Sequence, residues 1–172
     1  ISVFGQKTFY SQKNYFLSKS LISENGNDFL SGELSKLIRS IFFIRKKCLV
    51  LDLDNTLWGG VLGEDGIQGI KVANSFEGEK FLNFQKYLKK LSSIGVILAI
   101  ASKNNFEDVK DCFKKNDQLF LSLKDFSIIK ANWKPKYENI NQISKELNIG
   151  KDSMVFMDDS KFEREQMKKY NP

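Results

Sequence analysis

Histidine is absent from this chain. That absence excludes Ser-His-Asp and Cys-His catalysis and leaves acid–base work to carboxylates and lysines. Only two cysteines occur, Cys48 and Cys112. They lack the number and spacing for a disulfide framework or a zinc site, and they point to a reducing, cytoplasmic compartment. No apolar run approaches the roughly 20 residues of a membrane span, so no membrane partner is expected. No signal-peptide pattern is visible, and a first residue of Ile suggests a piece of a longer chain. The formal charge is +6, yet the lysines are scattered and no nucleic-acid motif accompanies them, so no nucleic-acid partner is expected. A basic surface suits a phosphorylated substrate or an acidic protein partner as well.

What is present is enough for a packed core. The chain has 172 residues, 41% of them hydrophobic and fifteen of them Phe, which excludes disorder as a global state. Leu34, Leu37, Ile38 and Ile41 fall at helical spacing and predict an amphipathic helix leading into a first strand. Before them, residues 23 to 28 read as a loop. Further on, Phe81, Phe84, Leu88 and Leu91 predict a helix stopped by Gly95, and Phe106, Val109 and Phe113 another. Ile140, Ile143 and Leu147 mark a third, opened by Pro135. Apolar runs at 48–51, 95–101, 127–131 and 153–157 alternate with these helices. That order predicts an α/β fold with a central parallel sheet between helical layers, over residues 46–172, preceded by a helical flanking segment at 1–45. Gly59 to Gly66 is too rich in glycine for a helix and is expected to form a turn or short hairpin, a minimal flap with no large cap.

The first strand runs into Asp52 and Asp54. Successive residues of a strand alternate faces, so these carboxylates leave on the same side. Two like charges so close repel, and a divalent cation with oxygen preference, Mg²⁺, relieves the repulsion. The second strand ends at Ala101, Ser102, Lys103 and Asn104. Lys136 stands in the first turn of the Pro135 helix, and Asp158 and Asp159 follow the last strand. In a parallel sheet, ligands bind beyond the carboxyl ends of the strands, where these segments meet. Trp58 and Trp133 adjoin the motifs and are candidate walls of a substrate pocket.

Motif by motif, the chain resembles the haloacid dehalogenase (HAD) phosphotransferase superfamily. Asp52 and Asp54 match the first motif, Ser102 the second, Lys136 the third, and Asp158 with Asp159 the fourth. The resemblance implies a Rossmann-like domain, Asp52 as nucleophile and Asp54 as proton donor and water activator. It also implies Mg²⁺ held by Asp52, the Asp54 backbone carbonyl and the Asp158/Asp159 pair, with Ser102, Lys103, Asn104, the amides that follow and Lys136 on the phosphate.

Over residues 30 to 172 the pattern is similar to the FkbH-like branch. It is carried by the run Leu51 to Gly66 and by Ala101-Ser102-Lys103-Asn104, Ala131-Asn132-Trp133, Asn148-Ile149-Gly150 and Phe162-Glu163-Arg164-Glu165. That branch implies a phosphorylated three-carbon substrate, 1,3-bisphosphoglycerate, whose glyceryl group is loaded onto a phosphopantetheinylated acyl carrier protein in polyketide biosynthesis. Relatives commonly carry an acyl-accepting cysteine where this chain has Ala101, so the transfer step lacks its thiol here, whether by engineered replacement or natural loss. The competing readings are a plain Mg²⁺-dependent phosphatase of small phosphoesters or phosphoproteins, and a catalytically silent docking module.

Overall fold

A computed structural model describes residues 5–42, 46–73 and 76–170. They fall into two compact units, Ile1–Arg45 and Lys46–Pro172. The first holds α1 (Gln6–Phe9), α2 (Gln12–Ser18) and α3 (Glu24–Phe42). Ser11 caps α2 by accepting the Asn14 N–H, and Lys19 ends it in the left-handed region. The expected loop at 23–28 is instead the opening turn of α3. Ser23 Oγ accepts the Gly26 N–H at 3.0 Å and its carbonyl accepts the Asn27 N–H, so a polar string that reads as a loop is a helix cap. At Gly26 a Cβ would stand 2.6 Å from the Phe9 carbonyl oxygen. The glycine there serves close approach rather than a turn. Leu34, Leu37 and Ile38 do lie on one helix, with their side chains exposed; the side chain of Ile41 lies outside the described set.

The second unit runs β1 (Cys48–Leu51), α4 (Leu62–Gly69), α5 (Phe76–Ser93), β2 (Ile97–Ser102), α6 (Phe106–Lys115), β3 (Ile128–Ala131), α7 (Lys136–Leu147), β4 (Met154–Met157) and α8 (Lys161–Tyr170). The four strands form one sheet in the order β3-β2-β1-β4, and every pairing is parallel. Alternation along β1 divides the core. Leu49 and Leu51 join Leu88, Leu98, Ile100 and Val109 on one face, while Cys48 and Val50 join Ala99, Ile140 and Ile143 on the other. Helices therefore cover both faces, as expected. The chain moves outward from β1 to β2 to β3, then returns to place β4 on the far side of β1. That reversal puts the switch point at the carboxyl ends of β1 and β4. Among the described residues, no helix is long and apolar enough to cross a membrane.

The glycine-rich stretch departs from expectation because it contains a helix. Asp65 Oδ2 accepts the Val61 N–H at 2.7 Å and anchors the start of α4, while Gly66, at φ 68°, breaks its continuity. The hairpin character survives at the base, where Gly59 and Lys71 exchange backbone hydrogen bonds. One buried amide ties this excursion to the core. Gln85 of α5 donates Nε2 to the Leu57 carbonyl at 2.9 Å, and its Oε1 accepts the N–H groups of Phe120 and Leu121.

Gln85→Ala would leave those backbone groups unpaired. We expect a stability loss of about 2–4 kcal/mol, read as a lower urea midpoint at unchanged slope. A loss below about 1 kcal/mol would show that water replaces the amide.

Candidate active site

Asp52 follows β1 directly, and its N–H donates to the Met157 carbonyl at 3.0 Å, extending the sheet pairing by one residue. Asp158 and Asp159 follow β4, Ser102 ends β2, and Lys136 opens α7. The carboxylates of Asp52, Asp158 and Asp159 each offer an oxygen within 4.8 Å of the others. Lys136, almost fully buried, donates Nζ to Asp158 Oδ2 at 2.6 Å and stands 3.0 Å from Asp52 Oδ1. The second approach is an ion-pair contact without hydrogen-bond alignment, and Asp52 Oδ1 is buried with no hydrogen-bond donor. Burial pushes the Asp52 carboxyl above the usual carboxylate range, against the opposing pull of Lys136. Burial works downward on Lys136, but Asp52 and Asp158 outweigh it and hold the ammonium above its ordinary value.

These features fit a divalent cation. The donors are all oxygen, three carboxylates face one ammonium, and a buried carboxylate oxygen lacks a donor. The Asp54 carboxylate lies outside this group. Its Oδ1 accepts the Trp58 indole N–H at 2.9 Å and the Leu62 backbone N–H at 3.0 Å, and its Oδ2 accepts Asn104 Nδ2 at 2.9 Å. Three donors from three segments fix that carboxylate in one orientation.

This clamp engages two residues expected at the substrate. Trp58 is fully buried, stacks edge-on against Phe113 and spends its only donor on Asp54, so its ring walls no open pocket. Asn104 donates to Asp54 and to Ser102 Oγ at 3.1 Å, so its amide positions these two protein groups. Lys103 pairs with Glu163 of α8 at 2.6 Å. Ser102 is buried beside the carboxylates. Trp133 is 70% exposed and donates to Asn105 Oδ1, at the rim.

Ala101 is fully buried among Ala99, Ile140 and Ile143. Strand alternation turns this side chain, at the position expected for an acyl-accepting thiol beside Ser102, into the packed face of β2. Burial also pushes the thiols of Cys48 and Cys112 up to about 11 and about 12, so neither supplies a thiolate.

A cleft of about 320 Å³ opens beside Asp158 and Asp159, lined further by Asn55, Thr56, Lys80, Phe81, Phe84 and Met157. The spacing of Phe81 and Phe84 predicts a helix without saying what each ring covers. The same helical spacing serves a core and a cleft wall, so no signal separated the two. Arg164, also missed, donates Nη1 to the carbonyls of Asp158 and Asp159 at 2.6 and 2.7 Å and holds the loop after β4.

A parallel sheet with acidic residues and a buried lysine at its switch point is the Rossmann-like architecture of HAD phosphatases. The chain is similar to the N-terminal part of BF1531 from Bacteroides fragilis, a structure that contains a phosphatase domain complexed with Mg. The two are 39% identical with a TM-score of 0.78, over 99% of this chain and 46% of that one. The chain thus spans about half of that structure. A putative 3-deoxy-D-manno-octulosonate 8-phosphate phosphatase from Vibrio cholerae matches at 19% identity over 73% of this chain and 63% of its own, TM-score 0.48. The corresponding Moraxella catarrhalis phosphatase, in complex with magnesium, phosphate and KDO, matches at 21% over 71% and 63%, TM-score 0.43. No family model and no curated protein matches the chain.

Trp58→Phe keeps the ring and removes the N–H on Asp54. A hydrogen bond to a charged group contributes about 1.5–3 kcal/mol, so we expect kcat to fall about 10- to 100-fold at nearly constant KM, with a lowered melting temperature from the lost bond and the smaller ring. A raised KM with kcat intact would return Trp58 to substrate binding. Ala101→Cys should resist a water-soluble thiol reagent in the native protein and react only in denaturant. Immediate labelling of one equivalent would show that the position opens to solvent.

Proposed function

We propose that this protein is a Mg²⁺-dependent phosphatase of small phosphorylated molecules, with residues 46–172 as its catalytic core and residues 1–45 as a flanking segment. The observation that carries the reading is the meeting of Asp52, Asp158 and Asp159 around one point at the switch of the sheet, with Lys136 bridging two of them. Magnesium in the neighbouring Bacteroides fragilis structure supports the choice of metal. Two free, buried cysteines suit a cytoplasmic setting.

Asp52, Asp158 and Asp159 would hold the cation, with the Asp54 backbone carbonyl as the resemblance implies. Bound there, Mg²⁺ supplies charge neutralisation for the phosphoryl oxygens. The protein's own groups do the rest. An Asp52 carboxylate oxygen attacks phosphorus as the bond to the leaving oxygen breaks, and that oxygen takes a proton from Asp54. Asp54, again a carboxylate, then removes a proton from water as the water attacks the aspartyl phosphate. Release of inorganic phosphate restores Asp52. Lys136 keeps Asp52 and Asp158 together through the cycle, and the Ser102 hydroxyl and the amides opening α6 are placed for phosphate oxygens.

The finer reading is glyceryl transfer from 1,3-bisphosphoglycerate to an acyl carrier protein. Its support is the FkbH-like motif pattern alone, and the buried methyl of Ala101 weighs against the transfer half. Dephosphorylation is the half that the carboxylates can serve.

Asp52→Asn removes the nucleophile and a metal ligand together. We expect Mg²⁺-dependent phosphate release from acetyl phosphate to fall to background in the folded variant. The thermal stabilisation that saturating Mg²⁺ gives the unaltered protein, about 2.7 kcal/mol at a hundredfold excess over Kd, should shrink sharply. Retained phosphate release would refute the mechanism.

A further inference from the structure

We propose that the cleft beside the carboxylates is a leaving-group subsite that selects phosphomonoesters with a compact apolar alcohol portion over polyhydroxylated ones. The proposal rests on the phosphatase reading and deepens it. Asp158 and Asp159 line one end of the cleft. A phosphoryl group on the carboxylates would therefore direct its ester substituent into the same space. The remaining walls decide what that substituent is. Phe81, Phe84 and Met157 present aromatic and thioether surface, which makes up most of the exposed lining, and Asn55, Thr56 and Lys80 stand beside it. A volume of about 320 Å³ lies at the small end of ligand pockets, which run from about 300 to 1,000 Å³. It admits a single ring or a short chain, and its outer side is open to solvent.

One further observation marks the cleft as built. Gly59 packs so tightly under Phe81 that a Cβ there would stand 2.7 Å from the ring's Cε2. The missing side chain at position 59 is what lets the Phe81 ring lie against the flap. The Lys80 ammonium stands 4.9 Å from the centre of the Phe81 ring. An apolar substituent loses little on leaving water and gains ring contacts with Phe81 and Phe84. A glycerol or sugar substituent would turn hydroxyls against those rings, which offer them no partner.

The test compares benzyl phosphate with glycerol 1-phosphate, whose alcohols have similar basicity, and measures calorimetrically the binding of non-hydrolysable benzylphosphonate in the presence of Mg²⁺. We expect kcat/KM to favour benzyl phosphate at least tenfold. Phe81→Ala should reduce that ratio at least fivefold and weaken benzylphosphonate binding by a similar factor. Because the readout is a ratio, a general loss of activity does not disturb it. Gly59→Ala, which forces the Phe81 ring to move, should shift the ratio as well. Equal use of the two esters, or a ratio unmoved by Phe81→Ala, would overturn the subsite while leaving Mg²⁺-dependent hydrolysis of acetyl phosphate intact. Absence of acetyl phosphate hydrolysis together with absence of benzylphosphonate binding would overturn the phosphatase reading and the subsite with it.

Discussion

Lys136 is the group on which the site depends. It is an ammonium removed from water and placed between the carboxylates that end β1 and β4, 3.0 Å from one and 2.6 Å from the other. Burying an ion pair contributes little net stability, because desolvation offsets most of the attraction. Its value here is geometric. Without a cation between them, Asp52 and Asp158 would repel, and burial already pushes the Asp52 carboxyl toward its neutral form. Lys136 reaches this position only because α7 starts at the carboxyl edge of the sheet and Pro135 precedes it with an extended backbone. The sheet order supplies the rest by setting β4 against β1 and no other strand.

A lysine alone leaves the site incompletely balanced, and the imbalance is informative. Asp159 adds a third carboxylate oxygen within 4.8 Å, and Asp52 Oδ1 has no hydrogen-bond donor. A fully satisfied buried network would be a structural device and would resist change. One left short of positive charge and of donors is suited to receive a cation and then a phosphoryl group. Arg164 contributes no neutralisation of side-chain oxygens, because it binds only the carbonyls of Asp158 and Asp159. It fixes the loop from its backbone, while the Asp158 carboxylate accepts Lys136 Nζ and the Ser160 N–H.

Strand alternation and helical spacing made the sheet, the helices of the second unit and the carboxylates legible, because each depends on a short local pattern. Legibility ended where one residue type serves two purposes. Glycine at 59 to 66 reads as a turn, but Gly59 is small to admit Phe81, and a single capping carboxylate, Asp65, is enough to start a helix among the others. Ser23 to Asp28 reads as a loop because cap residues and loop residues share a composition. Phe81 and Phe84 repeat at core spacing, and only the tertiary position of α5 separates wall from core. Ala101 was placed by its neighbours in the motif, yet its orientation follows from alternation with Ser102: if one faces the site, the other is carried away from it.

Trp58 shows why the two halves of that problem cannot be separated. Its ring is core, fully buried against Phe113, and its N–H is active-site machinery, bonded to Asp54. The Asp54 carboxylate is thus positioned by packing, through a donor that cannot move without opening the core. Leu62, at the start of α4, adds a backbone N–H to the same oxygen, and Gln85 holds the Leu57 carbonyl one residue before Trp58. The flap, the helix α5 and the aromatic core therefore converge on one carboxylate. An orientation set by so many buried contacts costs nothing further when a substrate arrives, which is the condition for efficient proton transfer at a leaving oxygen. The same contacts place Phe81 and Phe84, four and one residues before Gln85 on α5, beside the loop that carries Asp54. Acid–base geometry and the shape of the neighbouring cleft thus rest on a single helix.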